Sequence, residues 1–108
     1  MNLRIRKRMM TVPATSYKQS PPNSRQQTVD IGTVDFKCYP QDSTKVVMSK
    51  NGREEISSFQ LYIHGDDVVK LSESDKITCM HKDRQEPLKI DTYYLPGGIP
   101  EVGVVYLQ

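Results

Sequence analysis

Few residues in this sequence have the type and spacing that chemistry needs. Cys38, Cys79, His64 and His81 are the only cysteines and histidines, and together they have the stoichiometry of a Cys₂His₂ zinc set. Their spacing argues against one: no Cys-x₂₋₄-Cys or His-x₃₋₅-His pair is present, and the strand pattern points His64 away from the face that Cys38 and Cys79 share. Packed, reduced thiols and rim histidines are the expectation, with no metal. Glu54-Glu55 and Asp66-Asp67 are adjacent carboxylates. Paired acid and base work needs two carboxyls facing each other across a cleft of roughly 5–9.5 Å, whereas neighbours along a strand point to opposite faces. They read as turn and surface acids. No Gly-x-Ser-x-Gly elbow, phosphate-binding loop or dinucleotide fingerprint occurs, and the "PGGIP" turn has no helix after it to hold a phosphate. The sequence therefore predicts no enzyme and no cofactor.

Aromatic residues leave a second possibility. Tyr17, Tyr39, Tyr62, Tyr93 and Tyr94 could stack bases on an OB-like barrel that binds single-stranded nucleic acid. Charge weakens it. Residues 1–29 hold six basic side chains and no acid, while residues 30–108 hold nine basic against thirteen acidic, so a +6 arm precedes a −4 body. An acidic body repels a phosphate backbone unless its cations are segregated on one face.

The stretch with the strongest local signal is "MSKNGREE", residues 48–55. Asn51-Gly52 predicts a tight hairpin, because both residues tolerate the positive φ of a type I′ turn. Lys45, Lys50, Arg53, Glu54 and Glu55 crowd its tip beside the apolar Val46, Val47 and Met48. A connection between two core strands has no need of so many ions, so the prediction is a projecting hairpin with something to reach.

The elements that must carry it are strands. "SFQLYIHG" (58–65) places Phe59, Leu61 and Ile63 inward and Gln60, Tyr62 and His64 outward. In "TVDIGTVDFKCY" (28–39) Val29 and Ile31 share one parity and Val34, Phe36 and Cys38 the other, which a bulge at Gly32 would reconcile. Pro40 is expected to end that strand. "TVPATSYKQ" (11–19) is expected at a sheet edge, since Pro13 cannot donate to a ladder, and the "SPPNSRQQ" that follows reads as a loop. "KITCMH", "PLKIDTYYL" and "EVGVVYLQ" supply further strands, with turns at "KDRQEP" and "LPGGIP" and at most one helical turn in "GDDVVKLSESD". Six or seven short strands so spaced predict an all-β fold, a small antiparallel barrel or sandwich. The division is a basic N-terminal arm over 1–27 and a β-barrel domain over 28–108 with a projecting loop at 42–57.

Hydrophobic residues make up only 36% of 108, so the core is thin and partner contacts are expected to add stability. No apolar run approaches the ~18 residues of a membrane span. The start, "MNLRIRKRMM", lacks the long hydrophobic stretch of a secretory signal. Together these predict an intracellular protein with no membrane partner.

From Val34 onward the order of elements resembles the head-completion, or stopper, proteins of long-tailed bacteriophages. "VDFKCYPQDSTKVVMSKNGREEISSFQLYI" has their strand, charged excursion and apolar strand; "VKLSESDKITCM" and "PLKIDTYYL…EVGVVYL" follow as turn-strand and strand-turn-strand. The opening "MNLRIRKRMM TVPATSYK" is similar to the starts of small neck proteins. The resemblance implies a homo-oligomeric ring, hexamer or dodecamer, in the virion neck, assembled in the host cytoplasm. Its implied partners are the adaptor ring, the tail terminator or tail tube, and viral double-stranded DNA held without sequence preference. It also implies that the loop with Lys45, Val46, Val47, Met48, Ser49, Lys50, Asn51, Gly52, Arg53, Glu54 and Glu55 gates the DNA channel. Arg4, Arg6, Lys7 and Arg8 would dock on an acidic neighbouring ring. The alternatives are the OB-like nucleic-acid binder and a tail-terminator or adaptor subunit of the same neck.

Overall fold

The computed structural model describes residues 9–21, 25, 29–80 and 82–108. In chain order the elements are β1 (Val12–Gln19), β2 (Asp30–Met48), β3 (Glu54–His64), α1 (Gly65–Val68), β4 (Lys76–Cys79), β5 (Lys82–Gln85), β6 (Lys89–Leu95) and β7 (Ile99–Leu107). All pair antiparallel in one sheet of order β5-β4-β1-β2-β3-β7-β6. The all-β antiparallel class expected from the period-two patterns is the one adopted.

The sheet is not closed into a barrel, because β5 and β6 remain its two edges. It curls instead until distant strands meet. Lys82 on β5 donates to the Gln108 carbonyl at 2.8 Å and lies 5.9 Å from the centroid of the Phe59 ring on β3, several strands away in the sheet order. β5 is only four residues long and carries Lys82, Asp83 and Arg84, a short charged strand of the kind that discourages further pairing. The sequence reads as a turn there, at "KDRQEP", because its few polar residues give no strand periodicity; pairing with β4 alone makes them a strand.

Curvature is built into β2. Its nineteen residues, if straight, would span roughly 60 Å, yet the longest dimension of the molecule is 44 Å. Two irregularities bend it, one opposite Lys18/Gln19 where Ile31 is the extra residue, the other between Asp42 and Lys45. The first lies one residue from the predicted bulge at Gly32, but it does not bring Val29 and Ile31 inward: both are exposed.

Two prolines behave differently from expectation for one reason. β1 is an interior strand between β4 and β2, and β2 continues through Pro40 to Met48. Pro13 nevertheless lies outside the β1–β4 register, which covers only Thr15–Tyr17, and Pro40 lies past the β1–β2 register, which stops at Cys38. Each proline therefore has a single neighbouring strand, and its missing N–H costs little.

The concave side holds the main core, with Phe36, Cys38, Phe59, Leu61, Ile63, Ile77, Cys79, Val105 and Leu107 packed together. Val68 of α1 caps one end of it, directly over Gly103 of β7, where a Cβ would come within 2.1 Å of the Val68 Cγ2. The loop after α1 is fixed by Asp75, which is 2% exposed and accepts from Ser16 Oγ at 2.8 Å, Lys18 Nζ at 2.6 Å and the Ser72 amide at 2.9 Å. A buried carboxylate with three donors is fully compensated. The other side of the sheet is covered too. Val47, Tyr62, Val104 and Tyr106 form a second cluster with Tyr39, Leu88 and Tyr93 against it. Gln60 and Tyr62, which period two assigned outward, are buried beneath that cover.

Candidate functional site

The β2–β3 hairpin has the geometry most unlike a plain connection. Beyond the bulge, Lys45 pairs with Ser57, Val46 with Ile56, Val47 with Glu55 and Met48 with Glu54, so the loop expected over 42–57 is continuous strand up to its turn. The turn runs from Ser49 to Arg53. The Gly52 amide donates to the Ser49 carbonyl at 2.9 Å and the Ser49 amide to the Arg53 carbonyl at 2.8 Å, and the Asn51 amide donates to Ser49 Oγ at 3.3 Å. Only Gly52 of the Asn51-Gly52 pair has positive φ, at 77°. The hairpin predicted from Asn-Gly is present, but its turn is the longer type with one left-handed glycine rather than the two-residue I′ form.

The hairpin bends back onto its own sheet. At its base the Gln60 side chain, fully buried, donates to the Ser43 carbonyl at 2.8 Å and to Ser57 Oγ at 2.9 Å, which clamps the bulge. Lys45 reaches Tyr62 Oη at 3.3 Å, and Val47 packs among Tyr62, Val104 and Tyr106. Burial beneath this cover pushes the Tyr106 phenol above its ordinary range, with Tyr93 and Asp91 nearby adding to the effect. At the tip the Lys50 amide donates to the Leu88 carbonyl at 2.8 Å, while its ammonium donates to the Glu73 carbonyl at 2.5 Å and pairs with the Glu86 carboxylate. The tip is docked, not projecting free.

Docking separates the predicted gating residues into an inner and an outer side, with Lys45 toward Tyr62 on the inner side and Asn51 and Gly52 at the turn. Val47 and Ser49 are buried and Lys50 is committed to the docking contacts. Facing outward, Val46 and Ile56 sit side by side across the ladder with Met48 two residues on, and they are 68%, 59% and 53% exposed. Arg53, Glu54 and Glu55 take part in none of the ion pairs formed among the described residues. The result is an apolar strip, three side chains long, with Arg53 and Glu54 at its end, while Glu55, opposite Val47 in the ladder, faces the inner side toward Lys50 and Glu86. Ile56 and the docking partner Glu86 carry no sequence signal of their own, and Leu88 reads from sequence only as an apolar residue of the strand in "PLKIDTYYL", not as a docking partner. Alternation from Phe59 backwards through the bulge could have found Ile56; nothing local could have found a contact between Lys50 and residues more than thirty positions away.

The remaining sequence candidates separate. Arg4, Arg6, Lys7 and Arg8 lie outside the described residues, as does His81. His64 Nδ1 accepts the Asp66 amide at 3.2 Å, so it caps α1, and Asp66 and Asp67 occupy that first turn. Among the described residues no group of three or more His, Cys, Asp or Glu could hold a metal. The five tyrosines do not form one open platform: Tyr62 is buried, Tyr39 and Tyr93 are half-buried beside it, and Tyr94 is exposed at the β6–β7 turn. Tyr17 lies under Arg84, 4.2 Å from ring centroid to guanidinium, and Arg84 also pairs with Asp30. The Gln19 side-chain hydrogen bond and then Arg84 hold the Asp30 carboxyl below its usual range. No helix among the described residues is long and apolar enough to cross a membrane.

Fold and site define an open, strongly curled antiparallel sheet with a docked, outward-apolar hairpin. No protein-family model, no curated protein and no solved structure matches the chain.

Proposed function

We propose that this chain is a structural subunit of the head–tail connector of a long-tailed bacteriophage, a head-completion protein that assembles into a ring, closes the DNA-filled head and receives the tail. The observation that carries the reading is the outward strip of Val46, Met48 and Ile56 on a hairpin that is otherwise docked. An exposed apolar strip on a β-ribbon is a hazard for an isolated chain and a seam for an assembled one. In a closed ring every copy meets the same environment, so the strip is covered without open-ended growth. The charges of Arg53 and Glu54 at its end favour one register over slipped ones. Contact with a neighbour uses the outward side only, and the inner side, with Val47 and Lys50, returns the hairpin to its own sheet. The net negative body then suits a channel along which DNA slides without adhering.

The buried state of Tyr62 and Tyr106 gives no comparable support to the alternative of a base-stacking nucleic-acid binder. Particles assembled with Ile56→Asp or Val46→Asp test the proposal, since both changes lie on the exposed strip and spare the fold. The expected result is loss of nuclease protection of the packaged DNA, with wild-type particles showing the chain as a ring in the neck by electron microscopy. Full protection in both variants, or a chain located away from the neck, overturns it.

A further inference from the structure

We propose that Cys38 and Cys79 are a redox modification site, a thiol pair that closes into a reversible intramolecular disulfide when the protein meets a hydroperoxide. Cys38 lies on β2 and Cys79 on β4, with β1 between those strands in the sheet, so curling rather than ladder pairing brings them together. Their Sγ atoms are 3.6 Å apart, and the residues are 0% and 1% exposed. A disulfide needs about 2.05 Å between sulfurs and Cα atoms within about 7 Å, whereas two strand spacings separate β2 from β4 by roughly 9 to 10 Å, so closure requires β4 to leave its place beside β1 and move toward β2. No other cysteine is present to compete.

The two thiols are chemically unequal. The hydrogen bond to Cys79, with burial after it, pushes the Cys38 thiol far up, whereas the same bond holds the Cys79 thiol below its ordinary range. Cys79 lies on the marginal strand β4 and Cys38 on the central strand β2, so Cys79 is the sulfur that local opening presents to an oxidant and Cys38 the one that resolves it. Access runs through the weakest margin of the sheet: β4 has three register partners on β1 and two on β5, and opening there exposes Cys79 to a small oxidant. In the first step the Cys79 thiolate takes one oxygen from hydrogen peroxide, the O–O bond breaks, and the hydroxide released is protonated to water, leaving a sulfenic acid. In the second the Cys38 sulfur attacks the Cys79 sulfur, the S–O bond breaks, and the oxygen leaves as water with the Cys38 proton. Two thiols and one peroxide give one disulfide and two waters. A dithiol reductant reverses it. The bond ties β4, and with it the β5 edge, to the central strand β2.

This site is independent of the connector reading. The full chain is treated with hydrogen peroxide, quenched in acid, denatured, alkylated with iodoacetamide and weighed intact, then mapped by peptide mass. The expected result is a fall from two alkylated thiols to none, a mass two hydrogens lower, a Cys38–Cys79 linked peptide, and recovery of both thiols with dithiothreitol. In Cys38→Ser, dimedone is expected to trap a sulfenic acid at Cys79. Two alkylatable thiols after treatment, a cross-link between chains, or sulfinic acid as the main product at Cys79 each overturns the proposal.

Discussion

Asp75 has more invested in it than any other charged side chain of this small core. Its three donors come from β1 and from the start of its own loop, so replacing it by alanine leaves the buried Ser16 hydroxyl and the Ser72 amide without their acceptor and leaves Lys18 with the Lys70 carbonyl alone. Asp75→Ala is expected to lower the unfolding free energy by about 2 to 3 kcal/mol, read from the midpoint of urea denaturation at constant slope. Gly103 carries a different constraint, since any side chain there meets Val68. Gly103→Ala should cost about 1 to 3 kcal/mol by pushing α1 off β7, and Val68→Ala in the same chain should return part of that loss, a coupling that a double-mutant cycle measures. The cysteine pair spans 41 residues, so the oxidised protein is expected to gain about 4 kcal/mol over the reduced one in thermal or urea unfolding.

Among the elements, the β2–β3 hairpin is held at three levels: the Gln60 clamp at the base, Val47 in the middle, Lys50 at the tip. These differ in strength. The Lys50–Glu86 pair involves a carboxylate that is more than half exposed, and exposed pairs contribute at most about 1 kcal/mol. Lys50→Ala should therefore leave the melting temperature nearly unchanged while amide exchange speeds up around residues 49–53, and raised salt should mimic it in the wild type. Val47→Ala removes apolar packing from the second cluster, and exchange should then accelerate along the whole ribbon with a loss of about 1 to 2 kcal/mol. If Lys50→Ala instead unfolds the chain, the tip belongs to the core and is no docking contact.

For the molecule as a whole, an open sheet that curls without closing leaves its charged short edge β5 at one margin and an apolar ribbon at another. The first resists pairing and the second invites it, so self-association is expected to be directional. Ile56→Asp should leave the far-UV circular dichroism and the unfolding midpoint as they are, while light scattering at high concentration shows reduced self-association relative to the wild type. The acidic body and the outward strip act on different variables here: salt changes the first through screening and leaves the second largely intact.

Much of this was written locally. Phe59, Leu61 and Ile63 announce an inward strand face by period two, Asn51-Gly52 announces the hairpin, and Pro96-Gly97-Gly98 announces the last turn, because side-chain alternation and backbone φ preferences act within a few residues. The sequence by itself therefore determined an antiparallel all-β chain with a charged ribbon near its middle. Only the tertiary structure decided that β1 is interior, that Gln60 and Tyr62 are covered, that Lys50 docks on Leu88 and Glu86, and that Cys38 meets Cys79. Each of those depends on how far the sheet curls, and curl is the sum of bulges, strand lengths and contacts between residues dozens of positions apart, which no window of sequence contains.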